Sequence, residues 1–276
     1  MTPMRSSLSL ENTAQLGEQN QILAHMVLIE RATGKHVGPA TAITANDWPF
    51  QTPHPSQTVW RYLDDWKFRL LLKQRSLFFS RADRFKDETE GKYAEANRTT
   101  LTRVYQDFCA NYGISHDHDP FIQNMEIGRS RFFVSCWHIN DHESRTMWSK
   151  YTKSPDFVVV QSRVGRLCSY LPRTIQIASV NYADQSVARP EWHSSAPIFY
   201  KNPEFRFENE LRLVIDSDLN ETIDFEKDLG RDVFVDPSLI IERVVIHPNA
   251  RKKYKKEIRK LLNGTPLTVV ASSLPR

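Results

Sequence analysis

Glu208 and Glu210 are separated by a single residue, and Arg212 follows at the same spacing. In a β-strand, alternate side chains point to the same face, so both carboxylates would line one cleft. Two close carboxylates repel each other, and the pKa of one of them then tends to rise. A glutamate with a raised pKa can accept a proton from an incoming nucleophile, so this spacing is compatible with acid-base chemistry.

The same three residues also fit a purely structural arrangement. Arg212 continues the face that carries Glu208 and Glu210, and its guanidinium could neutralise Glu210 in a row of ion pairs. The spacing alone favours neither interpretation, so further motifs have to decide between them.

Other short motifs occur upstream and around the glutamates in a defined order. They are Trp60-Arg61-Tyr62, the stretch Ser76 to Asp83 (SLFFSRAD), Val134 to His138 (VSCWH), Met147 to Tyr151 (MWSKY) and Tyr200 to Arg212. Each motif is short enough to arise by chance, and their order gives them weight. Across roughly residues 58 to 274, the chain resembles a bacterial family of unknown function. That family is similar in turn to the ADP-ribosyltransferase superfamily, in the branch marked by an arginine, a serine and a Glu-x-Glu glutamate.

The resemblance implies a role for each matching residue. Arg61 takes the arginine position, Ser135 the serine position and Glu210 that of the catalytic glutamate, with Glu208 as its companion. It also implies that NAD is the cofactor, that the acceptor is a macromolecule, either protein or nucleic acid, and that the setting is a toxin or phage-defence system. The fold it implies is an ADP-ribosyltransferase-like split mixed sheet with flanking helices.

The residue types suit this chemistry. Cleavage of the bond between nicotinamide and ribose passes through an oxocarbenium-like state, which a fixed carboxylate such as Glu210 can stabilise. The planar guanidinium of Arg61 can hold a pyrophosphate or ribose, and the Ser135 hydroxyl can donate a hydrogen bond within the pocket. Trp137, Trp148 and Tyr151 are candidates for an aromatic wall beside the nicotinamide ring. Trp148 and Tyr151 lie three apart on a predicted helix, a spacing more typical of core packing.

The order of predicted elements indicates a mixed α/β fold. Residues 1–55 form a polar N-terminal extension that ends in a proline-containing linker, and residues 56–276 form the domain. Its opening is β-α-β over residues 58–80, and further strands and helices alternate to the end of the chain.

Residues 249–263 carry seven Lys/Arg against one Glu, a local charge of +6. Tyr254, Ile258, Leu261 and Leu262 fall on one helical stripe, with Asn249 as the predicted N-cap and Asn263-Gly264 as the stop. We favour a solvated helix packed through its apolar stripe. The alternative function that it supports is a non-catalytic nucleotide- or nucleic-acid-binding module, which uses the cleft and this basic helix.

Composition limits the remaining classes. Hydrophobic residues make up 40% and charged residues 25%, which is typical of a globular protein. No apolar stretch reaches the ~18 residues of a membrane-spanning helix, so we expect a cytoplasmic protein without membrane contact. Three widely spaced cysteines favour neither a disulfide framework nor a zinc site.

Three further chemistries are disfavoured. The string SHDHDP (residues 115–120) is more typical of a solvated turn than of a metal site, and no metal is expected. A nuclease would have to pool the distant acids Asp83, Asp87 and Glu90. A thiol enzyme built on Cys136 and His138 lacks an evident third orienting group. Neither the acceptor nor the oligomeric state follows from the sequence.

Overall fold

The computed structural model describes residues 50–111, 128–152, 154–189, 191, 195–217, 224 and 227–274. Most of the predicted N-terminal extension and the SHDHDP loop lie outside these residues. Phe50 is buried and packs against the rings of Phe199 and Tyr200, with centroid distances of 5.1 Å to each. The chain is therefore already in contact with the core at residue 50.

Strands and helices alternate along the described chain. The strands are β1 (Thr58–Asp64), β2 (Ser76–Arg81), β3 (Phe132–Ile139), β4 (Phe157–Arg163), β5 (Gln176–Ser179), β6 (Asn181–Tyr182), β7 (Tyr200–Lys201), β8 (Glu210–Asp216), β9 (Gly230–Phe234), β10 (Arg243–Ile246) and β11 (Thr268–Ala271). The α-helices are α1 (Asp65–Gln74), α2 (Glu95–Asn111), α3 (Arg145–Tyr151), α4 (Val164–Tyr170), α5 (Pro237–Ile240) and α6 (Lys252–Leu262). Short 3-10 helices include Ala196–Phe199 and Pro203–Glu208.

Nine of these strands form one mixed sheet, which confirms the predicted mixed α/β class. The order is β11-β10-β4-β1-β3-β2-β9, with β8 on the other edge of β3 and β5 beside β8. Strands β10 and β11 run parallel, whereas the other pairs in this sheet are antiparallel. Six of the seven residues of β4 are buried, which explains its nearly continuous apolar sequence.

One edge of β3 is shared by two strands. Its start pairs with β2 through Phe133 and Val134, and its end pairs with β1 through His138 and Ile139. Between these two contacts, β1 and β2 diverge, and the sheet has a gap on this edge of residues 135–137. A polar side chain can enter such a gap without displacing a ladder hydrogen bond.

The two faces of the sheet are covered differently. On one, here called the helical face, Trp137 and Leu213 pack with apolar residues of α1, α4 and α6 in the largest core cluster. On the other, called the site face, Trp60 packs with Trp148 of α3. Alternate residues of β3 and β8 therefore enter different environments.

Several local predictions need correction. Helix α6 begins at Lys252 with Arg251 as its N-cap, not at Asn249, although it ends as predicted before Asn263. Leu261 is 38% exposed, so it lies outside the buried stripe of the helix. That stripe consists of Tyr254, Ile258 and Leu262, which follow each other at intervals of four residues.

The apolar pattern of LIIERVVIHP (residues 239–248) predicts one strand, but the first part of this stretch belongs to a helix. Asp236 and Pro237 start the short helix α5, since the Asp236 side chain accepts from the Ser238 amide at 2.9 Å. Only Arg243–Ile246 of that stretch forms a strand. No helix in the described part of the chain is long and apolar enough to cross a membrane.

Candidate active site

The backbone around the two glutamates departs from the predicted strand. Glu208 is the last residue of a 3-10 helix, and Glu210 is the first residue of β8. Asn209 between them adopts a left-handed conformation with φ of 39°, which asparagine tolerates better than most residues. Its side chain donates to the Ile139 carbonyl at 2.7 Å. The prediction that a continuous strand aligns Glu208 with Glu210 is therefore wrong.

The two carboxylates nevertheless converge, because Lys201 binds both. The Lys201 ammonium donates to Glu208 Oε2 at 2.5 Å and to Glu210 Oε1 at 2.6 Å. A third carboxylate, Glu90 from the loop before α2, lies 3.6 Å from the same ammonium. Lys201 thus joins three acidic groups from two separate parts of the chain.

Arg212 is the second cation of this group and is 0% exposed. Its Nε donates to Glu210 Oε2 at 2.8 Å, its Nη1 donates to the Ile198 carbonyl at 2.5 Å, and its Nη2 pairs with Glu90. The ion pair considered from spacing alone therefore forms. We name Glu90, Lys201, Glu208, Glu210 and Arg212 the acidic cluster.

The acidic cluster separates the pKa values of its two neighbouring glutamates. Burial, together with the adjacent Glu210, raises the pKa of Glu208 to about 7. Burial alone would also raise the pKa of Glu210, but Arg212, Glu208 and Lys201 outweigh it and hold that pKa well below the usual range. Near neutral pH, Glu210 is ionised, whereas Glu208 titrates.

Tyr151 connects the acidic cluster with solvent. It is 45% exposed, and its hydroxyl donates to Glu208 Oε1 at 2.5 Å. The Tyr182 hydroxyl accepts from the Glu210 amide at 2.9 Å, and the His138 ring lies on the Glu208 carbonyl with Nδ1 2.6 Å away. The approach to Glu208 is therefore lined by aromatic and imidazole rings.

Trp148 is directed away from this approach. It is buried, its ring packs edge-on against Tyr62 at 5.1 Å, and its Nε1 donates to Glu143 at 2.9 Å. Within the described residues Trp148 is a core side chain, as its helical spacing with Tyr151 suggested.

Arg61, Ser135 and Trp137 belong to the helical face. In the β3–β8 register, His138 and Cys136 lie opposite Glu210 and Arg212, so the alternating residues Ser135 and Trp137 point to the other side. Trp60 pairs with His138 and shares its face, so the next residue, Arg61, lies on the helical face with Ser135 and Trp137. The structure thus divides the seven predicted site residues between two faces of the sheet.

Two of these three residues are engaged with each other. Ser135 Oγ accepts from Trp137 Nε1 at 3.2 Å, and both side chains are almost fully buried. The indole ring of Trp137 is therefore part of the core. Trp137 therefore does not present an exposed ring face at this position.

Arg61 occupies the gap between β1 and β2. Its Nη2 donates to the Phe78 carbonyl at 2.9 Å, and its guanidinium carbon lies 5.9 Å from the centroid of the Trp137 ring. Burial lowers the pKa of Arg61 to about 10, and the charge of Arg61 interacts with Cys136. Burial raises the pKa of the Cys136 thiol, and the negative charge of Glu210 raises it further. Cys136 is therefore close enough to interact electrostatically with both Arg61 and the acidic cluster.

Sequence reasoning missed several residues of the site. Lys201 lies within the Tyr200–Arg212 motif without a role predicted for it, and Glu90 is predicted only as one of the distant acids that a nuclease would pool. That pool does not assemble: Asp83 pairs with Arg81 at 2.7 Å, and Asp87 accepts from the Thr89 amide at 2.9 Å. The available signal for Lys201 was a basic residue seven positions before a Glu-x-Glu sequence.

No protein-family model matches this chain, and no curated protein matches it. The resemblance to ADP-ribosyltransferases therefore stays a prediction based on the quoted motifs.

Proposed function

We propose that the protein is an ADP-ribosyltransferase that cleaves NAD and transfers ADP-ribose to a macromolecule. The observation that carries the proposal is the pair of adjacent buried carboxyl groups with separated pKa values, Glu208 near 7 and Glu210 far lower. Two carboxyl groups tuned apart by their surroundings are a recurring arrangement in enzymes that break glycosidic bonds.

The two carboxylates take different roles in this reaction. Nicotinamide leaves as a neutral base with the electrons of the C–N bond, so its departure needs no proton. The ribose carbon becomes positively charged, and the fixed charge of Glu210 stabilises it. The acceptor then forms a bond to that carbon and gives its proton to Glu208, whose pKa near 7 suits a general base at neutral pH.

The remaining assignments follow from the contacts. Both Glu210 oxygens are bound, one by Lys201 and one by Arg212. Glu210 is therefore assigned to stabilise the positive charge on the ribose electrostatically, without forming a bond to it. Glu208 is the carboxylate assigned to meet the incoming group, since its Oε1 accepts a hydrogen bond from the hydroxyl of the partly exposed Tyr151.

Arg61 is the candidate clamp for the pyrophosphate. A guanidinium has five N–H donors, and the Phe78 carbonyl uses one of those on Arg61. A partly buried guanidinium suits a dianionic pyrophosphate, and the gap between β1 and β2 is where Arg61 would hold it. Ser135 and Trp137 are assigned to packing in this proposal, because they satisfy each other within the core.

Release of nicotinamide from NAD tests the proposal directly. We expect Glu208→Gln and Glu210→Gln each to reduce release by at least about a hundredfold, since removal of a catalytic acid-base group typically costs that much. Glu204→Gln is the matched control, because Glu204 lies exposed on the same 3-10 helix. Unchanged release from a folded Glu208→Gln variant would contradict the proposal, as would a wild-type protein that releases no nicotinamide with cell lysate as acceptor.

A second candidate function is the binding of nucleic acid by α6. Its lysines and Arg259 are mostly exposed, whereas its apolar stripe packs on the helical face. This surface lies on the side of the sheet opposite the acidic cluster, so binding there would be separate from the cleft. Loss of binding with added salt and with Lys252→Gln and Lys255→Gln would support it, and binding insensitive to both changes would reject it.

A further inference from the structure

His138 lies next to the acidic cluster, and one of its two ring nitrogens has no hydrogen-bond partner among the described residues. It is 5% exposed, and its Nδ1 lies 2.6 Å from the Glu208 carbonyl oxygen. A carbonyl oxygen only accepts hydrogen bonds, so Nδ1 carries the proton and donates it. In the neutral ring, Nε2 is then an acceptor with a free lone pair.

Within the described residues, no side chain or backbone group donates to this Nε2, although the atom is buried. Buried polar atoms in folded proteins nearly always have a partner, because an unmet acceptor costs the free energy of its lost hydration. Protonation would turn Nε2 into a donor, but burial lowers the pKa of His138 and keeps the ring neutral. The remaining way to satisfy Nε2 is a donor from another molecule.

The position of His138 indicates which molecule that is. His138 is the cross-strand neighbour of Glu210, and its other ring nitrogen is bonded to the backbone of Glu208. Its ring also lies 6.4 Å from the Tyr62 ring on the side of the sheet that α3 covers. His138 therefore belongs to the same part of the site as both carboxylates.

We propose that His138 Nε2 accepts a hydrogen bond from a hydroxyl of the ribose whose glycosidic bond is cleaved. This inference rests on the proposed function and makes His138 a specificity-determining residue. A site that buries an acceptor for one hydroxyl rejects an analogue without that hydroxyl, because the acceptor is then left unpaired. A hydroxyl is the group that fits, since it can donate to a neutral imidazole while its oxygen still accepts from other groups.

A cycle of ligand and protein changes tests the inference. Calorimetry would compare NAD with two analogues that lack the 2′- or the 3′-hydroxyl of the nicotinamide ribose, on wild type and on His138→Asn. Asparagine keeps an N–H near the position of Nδ1 for the Glu208 carbonyl but has no group at the position of Nε2. We expect wild type to bind one analogue at least about tenfold more weakly than NAD, and His138→Asn to bind NAD and that analogue equally. Equal discrimination by both proteins would overturn the inference.

A second readout uses the folded wild type alone. The ¹⁵N signal of Nε2 should show an unprotonated nitrogen in the free protein, and NAD should shift it while the discriminated analogue leaves it unchanged. The same shift with every ligand would indicate a water molecule or no contact at Nε2, and would overturn the inference.

The two proposals fail in different ways. If wild type neither binds NAD nor releases nicotinamide, the proposed function falls and the inference falls with it. If wild type releases nicotinamide and His138→Asn keeps the wild-type preference among the analogues, only the role of His138 is wrong.

Discussion

Helix α3 presents two aromatic side chains to two buried carboxylates. The pKa values of these two carboxylates shift in opposite directions. Trp148 donates to Glu143 at 2.9 Å, and Tyr151 donates to Glu208 at 2.5 Å. Both glutamates are buried to a similar degree, with exposures of 8% for Glu143 and 4% for Glu208. Burial alone therefore does not distinguish them.

The groups that surround each glutamate distinguish the two. Besides Trp148, Glu143 accepts hydrogen bonds from Ser272 Oγ at 2.6 Å and from the amide and hydroxyl of Ser273. Burial alone would raise the pKa of Glu143, but these donors outweigh it and lower the pKa. Glu208 instead has Glu210 beside it, and its pKa rises to about 7. A second carboxylate turns a buried glutamate into a group that titrates at neutral pH, whereas a set of neutral donors keeps it ionised and structural.

The largest expected effect comes from breaking the acidic cluster at Arg212. Arg212→Met would leave Glu90 and Glu210 with Lys201 as their remaining cation, and removing one partner of a buried ion pair costs about 3–5 kcal/mol of unfolding free energy. Denaturant unfolding measures this loss. Arg69→Met is the control, because the Arg69–Asp65 pair is partly exposed and should cost about 1 kcal/mol or less. Similar losses for both variants would contradict the prediction.

A smaller loss is expected at Glu143. Glu143→Gln cannot accept all the hydrogen bonds of the carboxylate, and we expect about 1–3 kcal/mol less unfolding free energy. Because the folded pKa lies below its ordinary value of 4.5, the advantage of wild type should be present above about pH 4.5 and disappear as the pH falls through the folded pKa. Chemical unfolding at pH 7 and at acidic pH would show it, and an advantage independent of pH would argue against a carboxylate anchor.

The pH dependence at Glu208 should have the opposite sign. Its folded pKa of about 7 lies above the ordinary 4.5, so the folded protein binds more protons between these values. The melting temperature of wild type relative to Glu208→Gln should therefore be highest below about pH 4.5, fall as the pH rises to about 7, and stay constant above that. A relative stability that stays constant over this interval would contradict the prediction, because it would mean that the pKa of Glu208 is not raised in the folded protein.

The smallest effect is expected at Tyr151. Tyr151→Phe removes one hydrogen bond to the ionised form of Glu208, which should cost about 0.5–1.5 kcal/mol and raise the pKa of Glu208 further. The midpoint of the pH profile for nicotinamide release should move upward in this variant. Tyr170→Phe, at an exposed position on α4, should leave both quantities unchanged. A downward shift of the midpoint would mean that Tyr151 does not donate to Glu208.

Local sequence patterns predicted the elements well, and with them the mixed α/β class. The β1-α1-β2 opening, the apolar strand β4 and the stripe of Tyr254 and Ile258 on α6 all follow from the spacing of apolar residues. These patterns depend on neighbours within one or two turns, so they can be detected without knowing the fold.

The composition of the site depended on the tertiary structure. Glu90 meets Arg212 across 122 positions of the chain, and no local pattern announces that contact. The turn at Asn209 also could not be foreseen, because a single left-handed residue ended the expected strand between Glu208 and Glu210.

The sequence by itself determined which residues can carry the chemistry: a Glu-x-Glu pair, an arginine on the first strand and a basic amphipathic helix near the end of the chain. The tertiary structure decided which of them meet. Whether Arg61 and Glu210 share a face depends on how β1 and β8 pair with β3, and a shift of one residue in either register would reverse the answer. Register is set by contacts between distant strands, so the division of the predicted residues between two faces was not readable from their spacing.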